Sequence, residues 1–189
     1  ILLERARELL QVPGESIHSQ IDNLAMDKKL VIKKDSIYAY TYYYAELSCA
    51  RMLFDLSMSM GGDRAYIEKT VKGISKELDI ETDELQLQAV MEAVRNSLFI
   101  LSGGPGTGKT TTINTIIRYF EREGLDIFLA APTGRAAKRM TEATGFEART
   151  IHRMLELNGA LSDENKRSVR FERNAENPLE ADVIIIDEM

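Results

Sequence analysis

The chain has 189 residues, 44% of them hydrophobic and 29% charged, and a net charge of −6 at neutral pH. That is apolar material for one or two cored domains, and it excludes a disordered tail and a wholly basic nucleic-acid coat. One cysteine and two histidines exclude an intrachain disulfide and a zinc cluster; no apolar run has the length of a membrane span, so the expected setting is cytoplasmic, away from membranes.

A start at Ile1 and a stop at Met189 directly behind an apolar run suggest an excised fragment. Leu2, Leu3, Ala6, Leu9 and Leu10 share one face of a helix that Pro13-Gly14 stops. Ser16 is expected to cap a second helix with Ile17, Ile21 and Leu24 on its apolar face. Leu30-Val31-Ile32, the polar turn Lys33-Lys34-Asp35-Ser36 and Ile37-Tyr38-Ala39-Tyr40 read as a β-hairpin. A long helix over 42–60 follows, stopped by Gly61-Gly62, with Cys49 as a core residue.

Helices followed by a two-stranded ribbon resemble a winged helix, an arrangement that binds DNA. Lys33, Lys34 and the tyrosines at 38, 40, 42, 43 and 44 are therefore candidates for nucleic-acid contact. Alternating tyrosines suit a pleated strand with or without DNA, and the reading adopted is a solvated turn beside an aromatic hairpin core. Asp63 caps a helix carrying Ile67, Val71, Ile74 and Leu78, a connector without visible chemistry. Composition changes over 79–83, so the expected domains are a winged-helix-like region (1–62), a connecting helix (63–80) and a nucleotide-binding domain (81–189).

A helix over 83–96 leads into Leu98-Phe99-Ile100-Leu101, read as a buried strand. Gly103, Gly108, Lys109 and Thr110 then fall on the phosphate-loop spacing G-x-x-x-x-G-K-[ST], and Ile113, Ile116, Ile117 and Phe120 recur at helical spacing. Backbone N–H groups of such a loop all point at a phosphate only where no Cβ blocks the approach, and the positive end of the following helix adds to the field. The phosphate cradle is residues Gly103, Gly104, Pro105, Gly106, Thr107, Gly108, Lys109, Thr110 and Thr111. Lys109 would reach the β- and γ-phosphates and the Thr110 hydroxyl would ligate Mg²⁺.

Gly124 stops the loop helix, and 125–131 reads as a second buried strand. Pro132-Thr133-Gly134 turns into a helix over 135–144, Thr150 caps a short helix, and 158–180 reads as a long surface excursion with at most a weak hairpin. Val183-Ile184-Ile185-Ile186 is a buried strand that delivers Asp187 and Glu188 at its C-terminal end. Asp187 would hold Mg²⁺ through its water shell and Glu188 would deprotonate an attacking water. No N-K-x-D string and no G-x-G-x-x-G loop occur, which favours adenine over guanine and excludes a dinucleotide fold. Residues 133–153 hold Arg135, Lys138, Arg139, Arg149 and Arg153 against Glu142 and Glu147, a basic patch in an acidic chain.

Residues 85–189 closely resemble the first motor domain of RecD-type helicases of superfamily 1B. Five stretches carry the resemblance in order and spacing: Gln86 with Ala89-Val90, SGGPGTGKTTT, APTGRAAKRM, ART-IHRML and IIIDEM. It implies an α/β, RecA-like P-loop domain that hydrolyses ATP with Mg²⁺ to step along single-stranded DNA, 5′ to 3′, in recombination and repair, with recombination-nuclease subunits as partners. Gln86 matches the family's adenine-reading glutamine, with Gln88 as the neighbouring alternative. Pro132, Thr133, Gly134 and Arg135 match a motif that lies on the strand, and Thr150 and His152 match the next one. The family also uses arginines from a second motor domain, so 189 residues alone are expected to bind ATP and hydrolyse it poorly. Pif-like helicases and the helicase half of conjugative relaxases share the PTG-x-AA and T-x-H patterns. From another class, the alternative is a nucleotide-dependent protein-binding switch on the same fold.

Overall fold

The first two apolar patterns form helices where their spacing places them, α1 (Leu2–Leu10) and α2 (Gly14–Met26). The computed structural model describes residues 1–80, 83–104, 106–158 and 170–188. Expectations resting on Pro105, Met189, residues 81–82 of the domain boundary and 159–169 of the surface excursion lie outside the described residues. The chain divides into two units, Ile1–Met58 and Ser59–Met189.

In the first unit, α2 begins earlier than a Ser16 cap would allow. Pro13, with φ −58°, stands at the N-cap, and Ser16 N donates to Pro13 O at 3.1 Å. Strands β1 (Leu30–Lys33) and β2 (Ser36–Ala39) pair antiparallel from Leu30↔Ala39 to Lys33↔Ser36, which leaves Lys34 and Asp35 as the turn. Helix α3 (Tyr40–Leu56) starts inside the expected strand and ends before Gly61. Ile17, 6% exposed, is the buried apolar side chain of this unit. Two expectations fail with so small a core. Cys49 is exposed because α3 buries none of its residues. The tyrosines of 38–44 are exposed or half-buried, because residues 42–44 are helical and the strand alternation does not apply to them.

In the second unit, helix α4 (Arg64–Glu77) is capped by Asp63, whose carboxylate accepts from Ala65 N at 2.9 Å. Helices α5 (Glu84–Arg95) and α6 (Lys109–Arg122) pack against it. Ile67, Val71 and Ile74 of α4 meet Val90 and Met91 of α5 and Ile116 and Tyr119 of α6 in one buried cluster. Each of these isoleucines contributes about 1.5–3 kcal/mol by burial. The helix set apart in the sequence as a connector is thus a core element of the unit that carries the glycine loop.

The rest of this unit alternates strand and helix: β3 (Ile127–Ala131), α7 (Gly134–Thr144), β4 (Ala148–Thr150), α8 (Ile151–Met154), β5 (Leu157–Asn158), β6 (Arg170–Phe171) and β7 (Val183–Ile186). Strands β4, β3 and β7 form a parallel sheet in that order. Ile117, Leu129 and Met140 are buried between α6, the sheet and α7, with Ile113, Ile127 and Ile185 beside them. This is the expected α/β arrangement with a parallel sheet beneath a P-loop helix. Short β5 and β6 pair antiparallel, so the ends of the excursion do form a weak hairpin. Among the described residues no helix is long and apolar enough to cross a membrane.

One expected strand is missing. Residues 98–101 are irregular, and Ile100 is 78% exposed. Among the described residues β4 and β7 each pair only with β3, so 98–101 stays irregular although the outer edges of the sheet are open.

Candidate nucleotide site and sheet edge

The glycine loop follows the irregular 98–101 segment and runs straight into α6. Gly106 and Gly108 take φ of +75° and +76°, a left-handed conformation that side chains rarely adopt. Gly103 is required by proximity instead: a Cβ there would stand 2.8 Å from Thr107 Oγ1. Thr107 Oγ1 donates to Gly104 O at 2.9 Å and pins the turn. Lys109 bends back over the loop, its Nζ donating to Gly103 O at 2.6 Å and Gly104 O at 2.8 Å. An ammonium has three donors, so one remains for an incoming group.

This arrangement fits a polyphosphate. A Cβ on Gly106 would meet nothing within 4 Å, so the loop backbone is open to approach there. The first turn of α6 has N–H groups with no intrahelical acceptor, and its dipole favours negative charge. Thr112 N and Thr112 Oγ1 already donate to Gly108 O, whereas Thr110 is exposed at the helix start and Thr111 half-buried beside it.

Gln86 is brought to the loop by a capping box. Asp83 accepts from Gln86 N at 2.8 Å, and Gln86 Oε1 accepts from Asp83 N at 3.3 Å. Its Nε2 lies against Gly108, occupying the place a Cβ would take. The neighbouring Gln88 lines a cleft with Arg64, Leu87 and Met91 instead.

Parallel strands end at one edge, and here that edge gathers the remaining motifs. Ala131 pairs with Thr150 and Ala130 with Ile186, so the residues that follow lie about one strand spacing, ~4.8 Å, apart. Behind β3 come Pro132 and Thr133; behind β7 come Asp187 and Glu188; behind β4 comes His152. Asp187 N donates to Ala130 O at 3.0 Å and extends the ladder by one residue. Glu188, at φ +60°, donates its N–H to Asp187 Oδ1 at 3.0 Å, and its carboxylate lies 3.7 Å from Arg139 Nη1.

Thr133 and Thr150 are both N-caps. Their hydroxyls accept from Ala136 N and Arg153 N, each at 3.2 Å. Gly134 and Arg135 open α7, and His152 is exposed, its ring centre 6.2 Å from that of Phe171. The basic patch is partly compensated. Arg149 makes two hydrogen bonds to Glu147, which hold that carboxyl below its usual pKa, chiefly by the hydrogen bonds and then by charge. Lys138 pairs with Glu142 at 3.8 Å, while Arg135 and Arg153 form no ion pair among the described residues. The sequence reading missed two of these features. Asp-x-x-Gln at 83–86 was a legible capping signature; the Arg139–Glu188 pair joins distant segments and left no local signal.

Residues 86–189 match the family model described as AAA domain. The chain is 36% identical over 127 residues to the ATP-dependent RecD2 DNA helicase of Deinococcus radiodurans, covering 67% of this chain and 15% of that protein. It is 37% identical over 128 residues to the RecBCD enzyme subunit RecD of Mycolicibacterium smegmatis, covering 56% and 22%. The RecD subunit of Buchnera aphidicola from Acyrthosiphon pisum aligns over 91% of this chain at 27% identity, and over 30% of its own length. The chain thus spans a minor part of the curated relatives it matches. The family binds nucleotide together with a divalent metal. The chain belongs to the AAA domain family, as a RecD-like member whose glycine loop and sheet edge fall inside the matched segment.

Proposed function

We propose that this chain supplies the ATP-binding part of a RecD-like DNA helicase, a cytoplasmic motor that moves 5′ to 3′ along single-stranded DNA in recombination and repair. The observation that carries this reading is the glycine loop with Gln86 resting on Gly108, in the same unit as three motifs that follow the strands of one parallel sheet. A nuclease complex as its setting is suggested by relatives named as RecBCD subunits.

The loop from Gly103 to Gly108 would wrap the β- and γ-phosphates with its backbone N–H groups, Pro105 being part of the loop but having none to donate, assisted by Lys109, Thr110 and Thr111. Gln86 would read adenine with Nε2 and the second lone pair of Oε1, the first being committed to Asp83 N. A divalent cation, expected to be Mg²⁺, would neutralise charge on the phosphates, with Thr110 and Asp187 as its protein ligands. Glu188 would orient the attacking water and take its proton. Arg139 competes for that carboxylate, and it sits on the same helix as Arg135. A DNA phosphate drawn to α7 would loosen Arg139 from Glu188 and so couple strand binding to hydrolysis.

Strand contact is assigned to Pro132, Thr133, Gly134, Arg135, Thr150 and His152. The two threonines accept cap hydrogen bonds yet retain an O–H to donate to phosphate. Replacing Thr150 by alanine would therefore also remove a cap worth about 1 kcal/mol, which makes His152 the cleaner probe. In the native protein, single-stranded DNA should stimulate ATP hydrolysis, and His152→Ala should weaken that stimulation several-fold. Arg139→Gln should raise the DNA-independent rate and shrink the stimulated gain. An ATPase rate indifferent to single-stranded DNA would overturn the motor reading in favour of a nucleotide-dependent switch.

A further inference from the structure

Five of the seven tyrosines fall between positions 38 and 44, and the chain has no tryptophan. In the N-terminal unit four of them form one connected set: ring centres are 5.5 Å apart for Tyr38 and Tyr43, 5.3 Å for Tyr43 and Tyr44, and 4.5 Å for Tyr40 and Tyr44. Tyr38 is 38% exposed, Tyr44 45% and Tyr42 78%. A ring set assembled as core would bury these faces, so an exposed aromatic patch needs another explanation.

The same hairpin is basic. Lys28, Lys29, Lys33 and Lys34 stand against Asp27 and Asp35, in a chain that is acidic overall. Lys33 Nζ lies 6.0 Å from the centre of the Tyr43 ring. Tyr38 faces Val31 across the ladder, so Lys33, two residues along from Val31, leaves the same face of the hairpin as Tyr38.

We infer that this patch is a second strand-binding surface, for single-stranded DNA. Exposed tyrosine faces at 38 and 44, both members of the connected set, stack bases, and Lys33 and Lys34 at the turn meet the flanking phosphates. The lysines select a polyanion over an apolar protein segment. The free ring faces select a single strand, because a duplex keeps its bases stacked on each other. Stacking on tyrosine is indifferent to base identity, so the surface grips any sequence. The choice of DNA as the polyanion rests on the motor reading; the patch lies outside the segment that carries that reading and fails or survives separately.

The test uses the intact chain without nucleotide. An oligo(dT) carrying 5-iododeoxyuridine is photocrosslinked and the adducts are mapped by mass spectrometry; tyrosine emission, dominated by this cluster, is followed in parallel. Expected are adducts at Tyr38 or Tyr44, quenching on binding, and about tenfold weaker binding in the Tyr38→Ala, Tyr44→Ala double variant. The Tyr38→Phe, Tyr44→Phe pair keeps the rings and should bind as wild type does. Lys33→Gln with Lys34→Gln should flatten the slope of log affinity against log salt by about 1.4. Adducts confined to 132–153, or duplex DNA bound as tightly as the single strand, would overturn the proposal. Adducts at 38 and 44 with none at 132–153 would support this surface and count against the motor contacts instead. Because the wild-type map needs no substitution, the outcome stands even if the alanine pair fails to fold.

Discussion

Lys109→Ala should lower ATP affinity by at least about a hundredfold, by the combined loss of a charge aimed at the phosphates and of two charge-assisted hydrogen bonds. The ammonium holds Gly103 O and Gly104 O, so its removal unties the loop as well as removing a ligand. Lys109→Arg should restore little. A planar guanidinium cannot place donors on two successive carbonyls and a phosphate from the space that a compact ammonium fills. Calorimetric titration with a non-hydrolysable ATP analogue reads both variants, and an affinity within a few-fold of wild type for Lys109→Ala would refute the assignment.

Gly108→Ala should be the most damaging alanine substitution among the described glycines. The residue sits at φ +76°, where a side chain costs about 1–2 kcal/mol, and the new Cβ would coincide with the Gln86 amide. Displacing the Gln86 side chain gives up its 3.3 Å bond from Asp83 N, while the Asp83 carboxylate keeps its bond from Gln86 N, and adds about 0.5 kcal/mol. Gly106→Ala is the matched control, with the same left-handed φ but open space around its Cβ. Urea denaturation should show Gly108→Ala less stable than Gly106→Ala, and adding Gln86→Ala to Gly108→Ala should recover part of the difference. Equal midpoints for the two alanine variants would show that Gln86 does not rest on the loop.

Much of the site was legible because its signals are local. The P-loop spacing picks out Gly108, which takes the left-handed conformation, and the caps at Asp63 and Thr150 form as their side chains dictate, with Gly145 closing α7 at φ +75°. What depended on neighbours was not legible. The run at 98–101 carries the composition of a buried strand, but composition does not say whether the run docks on a neighbouring strand, and here it does not. Alternating tyrosines read as strand core until the helix was found to begin at Tyr40, which turns their rings outward. The approach of Arg139 to Glu188 joins two motifs through the sheet, and only the register of β3 against β7 brings them together.

The central claim is that one triphosphate is held between the loop around Lys109 and a divalent cation at Asp187. Its most direct test is titration of the 189-residue chain with ATP, with and without Mg²⁺, in wild type and in Asp187→Asn. One ATP per chain is predicted, with Mg²⁺ tightening wild-type binding by about tenfold or more and giving Asp187→Asn no such gain. An unchanged Mg²⁺ gain in Asp187→Asn, or no ATP bound by the wild type, would contradict it.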